Sequence, residues 1–310
     1  MDDEFNVTYI TLAGYAEMGK SRYFYFVIMF TVYILAILFS VTIVYLICMH
    51  RNLHEPMYIF IAALLMNSIV YNTAMYPNLL VNFFTEKPII SYSACLFQLF
   101  LYYFLSFLLL SAMAYDRYVS ICKPFQYSTI MTKMTISIFL VLAWLVPACQ
   151  VAGSAVLSAK NKLCNFTLNG IFCNNSVQKL HCVVSRGLSV YGVIILLNIV
   201  FFPMLFIVFT YTRILIITYR SSREVRTKAA QTCLPHLLVL ISFSLLCTYD
   251  IMILRLESEF PKIARFIMTL QLVLYHPLFN PIIYGLKMKE IFKHLKRLFN
   301  FRTAKGRCYA

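Results

Sequence analysis

Charge is what this chain of 310 residues has least of: Asp, Glu, Lys and Arg make up 13% of it, against about 25% in an ordinary soluble domain. Hydrophobic residues fill 61% of the positions and mean hydropathy is +0.76, which excludes a water-soluble globule. The scarcity is also uneven. Seven windows hold no Asp, Glu, Lys or Arg at all: Tyr23 to His50, Pro56 to Thr85, Pro88 to Tyr115, Met134 to Ala159, Gly187 to Thr212, Ala229 to Tyr249 and Phe266 to Leu286. Spans without Asp, Glu, Lys or Arg, and halves without an internal repeat, count against a secondary transporter or channel. Nor does the chain carry paired carboxylates, a metal-ligand cluster or a serine–histidine arrangement at matched depth, so an enzyme is not expected, and neither is a metal or other cofactor.

What is there fits a bilayer. A hydrocarbon core about 30 Å thick takes roughly 20 apolar residues of helix, and every window meets that length. Strands of a membrane barrel would read as alternating segments of roughly ten residues, and these windows are continuous. The expected fold is therefore an all-α membrane protein, a bundle of seven transmembrane helices. Residues 1–22 form the N-terminus, 23–286 the bundle, and 287–310 a basic helix and tail. The acidic start Met1, Asp2, Asp3, Glu4 is unlike a cleavable signal, so the first span is expected to direct its own insertion.

The net charge of +15 would by itself admit a nucleic-acid partner. Its distribution excludes that reading. With the C-terminus in the cytoplasm, the inner segments carry Arg51, then Arg117, Lys123 and Lys133, then Arg213, Arg220, Arg223, Arg226 and Lys228, and finally the run from Lys287 to Arg307. Nearly all of the net positive charge then lies inside, as topology requires, and the N-terminus is extracellular. Three glycosylation sequons, at Asn6, Asn165 and Asn174, all fall outside in this topology. So do Cys95, Cys164, Cys173 and Cys182, and four cysteines on an oxidising face predict two disulfides. Pairing Cys95 with Cys173 and Cys164 with Cys182 folds the long loop over the bundle mouth and is preferred; Cys95 with Cys182 is the alternative. Beyond the seventh span, Met288, Ile291, Phe292, Leu295, Leu298 and Phe299 recur at helical spacing among lysines, which predicts an amphipathic helix on the lipids of the inner leaflet.

Two strings carry a mechanism. Met113-Ala114-Tyr115-Asp116-Arg117-Tyr118 places an acid and a base side by side at a membrane boundary, where each restrains the other until a competing partner arrives. Asn280-Pro281-Ile282-Ile283-Tyr284 joins a helix-breaking proline to an asparagine able to serve freed backbone groups. Together they resemble the rhodopsin-like G-protein-coupled receptors. Within these, Leu53-His54-Glu55-Pro56-Met57-Tyr58, the stretch from Met113 to Pro124, Lys228-Ala229 with Thr232-Cys233 and His236-Leu237, and Pro277 with Asn280 to Tyr284 are similar to the odorant receptors, and to their fish-type branch.

The resemblance implies a plasma-membrane receptor that binds a small odorant among the outer halves of its helices. It implies activation of a stimulatory, olfactory-type G protein and a rise in cyclic AMP. Arg117 would release Asp116 beside Tyr118 and receive the G protein, Asn280, Pro281 and Tyr284 would rearrange, and Arg223, Arg226 and Lys228 would add to the docking surface. The chain also departs from the pattern. Ser40 replaces an asparagine and Asn67-Ser68 an acid, so the usual sodium site is not expected, and the interval from Cys95 to Arg117 is about one helical turn short.

Helical phase therefore places the pocket. Counting back from Arg117 in steps of three, four or seven gives Leu110, Ser106, Tyr103 and Leu99; counting forward from His236 gives Phe243, Cys247 and Asp250; counting back from Asn280 gives His276, Val273 and Thr269. Such a cavity, apolar and aromatic with a few polar groups, fits a small hydrophobic or amphipathic ligand. Asp250 has two readings, a partner for Arg255 at the interface or an anchor for an amine. A receptor for a pheromone or peptide is the nearest competing function, because the motifs describe the inner half better than the pocket.

Overall fold

The computed structural model describes residues 8–15, 21–103, 107–159, 161–183, 186–223, 226–227, 233–234, 236–242, 244–245, 273–274, 278–286, 288 and 290–297. The first span is helix α1 (Arg22–Met49) and the second α2 (Pro56–Asn82), which opens on Pro56, where a missing N–H costs nothing. The third is α3 (Tyr92–Tyr103) followed by α4 (Phe107–Cys122). A single turn, α5 (Tyr127–Ile130), lies in the next connection, and the fourth span is α6 (Lys133–Ala159). The fifth runs without a break through α7 (Arg186–Leu196), a π-turn at Leu197–Phe201, and α8 (Phe202–Tyr219). Pro203 has no N–H to offer the Ile199 carbonyl, and the π-turn falls at that gap. Residues 236–242 of the sixth span and 278–286 of the seventh are helical.

Charge-free windows and helices do not coincide everywhere. Residues Ile89–Ser91 are strand, so the third helix starts at Tyr92, three residues before Cys95. The fifth helix runs past its window to Tyr219 and takes in Arg213, because a long side chain can reach the interface from inside a span. Burial separates the helices by role. In its most apolar stretch α2 is 61% buried, against 22% for α1 and for α6, so α2 is a central post while the others turn broad apolar faces outward.

Two cores fill the bundle. The inner one joins Ile43, Phe60, Leu64, Leu109, Leu110, Met113, Ile207, Tyr211, Tyr284 and Ile291. The outer one joins Met29, Tyr76, Leu79, Leu96 and Leu99 to residues that belong to no span: Ile10, Leu12, Tyr15, Ile90, Leu168, Ile171, Phe172 and Leu180. Of these, Ile10, Leu12, Ile90 and Leu168 belong to a three-stranded sheet with the N-terminal segment in the middle, and Tyr15, Ile171, Phe172 and Leu180 follow in the adjoining segments. Strand β1 (Tyr9–Leu12) pairs antiparallel with β2 (Ile89–Ser91), Ile10 opposite Ile90, and parallel with β3 (Thr167–Leu168), Leu12 opposite Leu168. Ile10 and Leu12 point inward and Tyr9 and Thr11 outward, the period-two alternation of a half-buried strand. Gly14 lies so close to Gly170 that a Cβ at Gly14 would stand 2.7 Å from that residue's carbonyl carbon.

The apolar stripe after the seventh span behaves differently from the expectation. Residues 290–297 are helical, but Met288, Ile291 and Leu295 pack on the inner core of the bundle, and Phe292 alone of the described stripe is exposed. His294 fastens this helix by stacking on His50, with ring centroids 4.0 Å apart, and by a 3.2 Å contact with the amide of Asn52. Leu298 and Phe299 lie outside the described residues.

Candidate functional site

The inner site begins with a buried ion pair. Asp116 and Arg117 fall in the last two turns of α4, and the Arg117 guanidinium donates to one Asp116 oxygen from Nε at 3.0 Å and from Nη2 at 2.5 Å. Asp116 is fully buried and Arg117 is 8% exposed, so water competes weakly for either. The second carboxylate oxygen accepts from the Tyr127 hydroxyl at 2.8 Å. Burial, then the neighbouring carboxylate, push the Tyr127 phenol above its ordinary range, which keeps it a donor. Short α5 exists at the right place to deliver that hydroxyl.

Around this pair stand groups from other helices. Tyr211 of α8 hydrogen-bonds His236 of the sixth span, and the two rings stack with centroids 5.7 Å apart. Cys233, a turn from His236, is also buried. Tyr284 is 1% exposed and directs its hydroxyl at the Met113 sulfur, 4.0 Å away and one helical turn from Arg117. Asn280 donates to Ser68 of α2 at 3.4 Å, and Ser68 in turn donates to the Leu64 carbonyl. Pro281 is buried, Tyr118 half-buried against Tyr115, and Arg223 and Arg226 are exposed at the inner end of the fifth span. Lys228 lies outside the described residues. Ser40 and Asn72 are fully buried, and their side-chain oxygens and nitrogen find no partner among the described residues. No group of three or more His, Cys, Asp or Glu among the described residues is placed to hold a metal.

The outer end is built from covalent and backbone restraints. Cys95, in the first turn of α3, is joined to Cys173, and Cys164 to Cys182, with Cα separations of 5.4 Å and 4.8 Å. The first bond is wholly buried, and Gln98 accepts from the Cys173 amide beside it at 2.8 Å; the second is exposed. Tyr15 donates to the Ile171 carbonyl at 3.0 Å, tying the N-terminal segment to the long loop. Tyr92 donates to the Ser158 carbonyl at 3.0 Å and meets the His181 Nε2 at 3.0 Å, which fixes that loop to two helices. Asn165 is exposed, whereas the Asn174 side chain is half-buried and accepts from the Ser176 amide of its own sequon. Asn6 is outside the described residues.

Of the pocket residues read from helical phase, Leu99 is 8% exposed and Val273 fully buried, both within the outer core. Leu110, on the same phase, belongs instead to the inner core, because Arg117 and its neighbours already lie at the inner end of the helix. The side chain of Tyr103, and Ser106, Phe243, Cys247, Asp250, Thr269 and His276, lie outside the described residues. Sequence reasoning missed Tyr127, Tyr211 and Tyr76. Tyr76 has a legible signal in retrospect: position 277 is proline and cannot serve the Val273 carbonyl, and the Tyr76 hydroxyl donates to it at 3.0 Å.

Comparison with known proteins places this arrangement. A family model described as Olfactory receptor matches residues 29–302. Human olfactory receptor 51E1 is 31% identical over 306 residues, covering 97% of this chain and 96% of that protein. Human olfactory receptor 1N2 is 32% identical over 300 residues, 93% of this chain and 92% of the relative, and rat olfactory receptor 1 is 29% identical over 303 residues, 94% and 95%. The crystal structure of squid rhodopsin superposes with a TM-score of 0.70 at 17% identity, over 90% of this chain and 80% of that one, a likeness of fold. A multi-pass membrane protein with the rhodopsin bundle and a receptor family's sequence over nearly its whole length, the chain belongs to the olfactory receptor family of rhodopsin-like G-protein-coupled receptors.

Proposed function

We propose that this receptor binds a small odorant within the outer half of its helices and activates a stimulatory, olfactory-type G protein, raising cyclic AMP. In this reading the N-terminus is extracellular and the C-terminus cytoplasmic, as the basic inner segments favour. The observation that carries it is the buried Asp116–Arg117 pair capped by Tyr127, a guanidinium held out of use at the inner end of the bundle. Its release needs a ligand that binds the active arrangement more tightly than the resting one. Tyr211, His236, Asn280, Pro281 and Tyr284 line the route by which the sixth and seventh helices act on it, and Arg223, Arg226 and Lys228 extend the docking face.

The form Leu53-His54-Glu55-Pro56-Met57-Tyr58 supports the fish-type branch. Leu99 and Val273, with Tyr103, Ser106, Phe243, Cys247, Asp250, Thr269 and His276, are proposed to meet the ligand. The test is a cyclic AMP assay in cells co-expressing the olfactory G protein, with a panel of odorants. At least one odorant is expected to raise cyclic AMP in the wild type and none in Arg117→Ala. Ligand-dependent solute flux or ion current without G-protein coupling would overturn the reading.

A further inference from the structure

The fifth span carries a polar side chain on its outer surface. Asn198 lies in the π-turn at Leu197–Phe201, near the middle of the charge-free stretch from Gly187 to Thr212, and is exposed. Ile194, Phe201, Phe202 and Leu205 around it are exposed as well, while Ile199, Pro203 and Ile207 form the buried face of the same helix. Asn198 therefore sits on a lipid-facing apolar surface at mid-membrane depth. Hydrocarbon offers no hydrogen-bond partner there, and an unpaired amide in it is costly. A polar group at that depth is normally turned inward, and one that is not acts as an adhesive between helices of different chains.

We propose that this face is the contact between two copies of the receptor, with Asn198 of each bonded to its counterpart. Symmetry and the chemistry of the amide both select a second copy as the occupant. In a closed pair, receptors inserted with the same sidedness are related by a two-fold axis along the membrane normal, which brings equal depths together. An amide also carries both a donor and an acceptor, so asparagine is complementary to itself. The flanking Ile194, Phe201 and Leu205 supply the apolar packing on either side of the pair. The π-turn keeps this geometry, since it absorbs the gap left by Pro203 and leaves Ile199 facing inward while Asn198 faces out.

The test is single-molecule photobleaching of full-length, fluorescently tagged receptor in cell membranes over a range of measured surface densities. The wild type is expected to show two-step bleaching that grows with density. Asn198→Leu, an apolar change on a lipid-facing position, is expected to weaken association by about threefold to tenfold at unchanged surface level, and Asn198→Val to do the same. Asn198→Gln, which keeps the amide, is expected to retain most of it. A wild type that bleaches in one step at every density, or Leu and Val variants that pair as well as wild type, would overturn the proposal, and so would a Gln variant no better than Leu.

Discussion

The two ends of this bundle are held by different kinds of force. At the outer end, two disulfides, a three-stranded sheet and side chains bonded to backbone carbonyls fix the loops and the N-terminal segment to α2, α3 and α6. At the inner end the links run between side chains: Asp116 with Arg117 and Tyr127, Tyr211 with His236, Asn280 with Ser68. Covalent bonds and strand pairing cannot exchange partners on the timescale of a signal, whereas ion pairs and hydroxyl contacts can. A receptor needs both, a cap that keeps its shape and a base that has two arrangements.

The largest test of this contrast cuts the buried disulfide. Cys95 and Cys173 are 78 residues apart, and a loop of that length predicts about 4–5 kcal/mol of stabilisation, against about 3 kcal/mol for the 18-residue separation of Cys164 and Cys182. Cys95→Ser is expected to abolish surface receptor in an antibody-binding assay, and Cys164→Ser only to reduce it. Equal losses would show that the cap is not graded by loop length.

Next in size is the inner pair. Asp116→Asn leaves the guanidinium without its carboxylate, a change of about 3–5 kcal/mol in a buried pair. Basal cyclic AMP, normalised to surface receptor, is expected to rise several-fold. Tyr127→Phe removes one hydrogen bond to the same carboxylate, about 1 kcal/mol, so its rise is expected in the same direction and smaller. Unchanged basal activity in both would mean that the pair restrains nothing.

The contrast between ends was unequally legible in the sequence. Seven spans follow from windows without charge, since lipid punishes an ionised group wherever the helix turns. Sidedness and loop position favour Cys95–Cys173 with Cys164–Cys182 but leave Cys95–Cys182 open, and the structure joins the first set. The strand at Tyr9–Leu12 was not legible, because four residues of alternation carry too little signal and its partners lie about 80 and 155 positions away. Tyr127 and Tyr211 were hidden for a related reason. Their partners depend on how helices are packed, and one tyrosine among 22 reveals nothing of that. The apolar stripe from Met288 suggests in the sequence a helix lying on lipid, whereas Met288, Ile291 and Leu295 pack on the bundle and Phe292 is exposed.

Where the two regions meet, Asn72 offers a finer probe. It lies on α2 four residues from Ser68, bonded to Asn280, and four from Tyr76, bonded to the Val273 carbonyl. Its own amide is fully buried and has no partner among the described residues. An apolar side chain of similar volume removes that desolvation cost, so Asn72→Leu is expected to stabilise the purified receptor. A rise of about 2–4 °C in the midpoint of a thermal melt corresponds to about 1 kcal/mol. A lower midpoint would mean that the amide is paired in the working receptor.

The smallest effect should come from acid, and only from the outside. Tyr92 donates to Ser158, so it accepts from His181 Nε2–H, and the ring nitrogen Nδ1 is left buried with no partner among the described residues. Burial holds this imidazole below its ordinary value, so the folded loop contains the neutral ring. The unfolded chain takes up a proton near pH 6.5 while the folded one resists until lower pH. Stability from this group is therefore complete above about pH 6.5 and is lost as pH falls from there through the folded value. Acidifying the outer bath is expected to lower the melting midpoint of the surface receptor, and His181→Gln, which has no proton to gain, to flatten that dependence. In the proposed orientation, with the N-terminus outside, the inner network faces the opposite bath, so basal cyclic AMP normalised to surface receptor should stay constant across the same range. If the Gln variant followed the same pH curve as wild type, His181 would not be the titrating group and the cap would owe nothing to its neutrality.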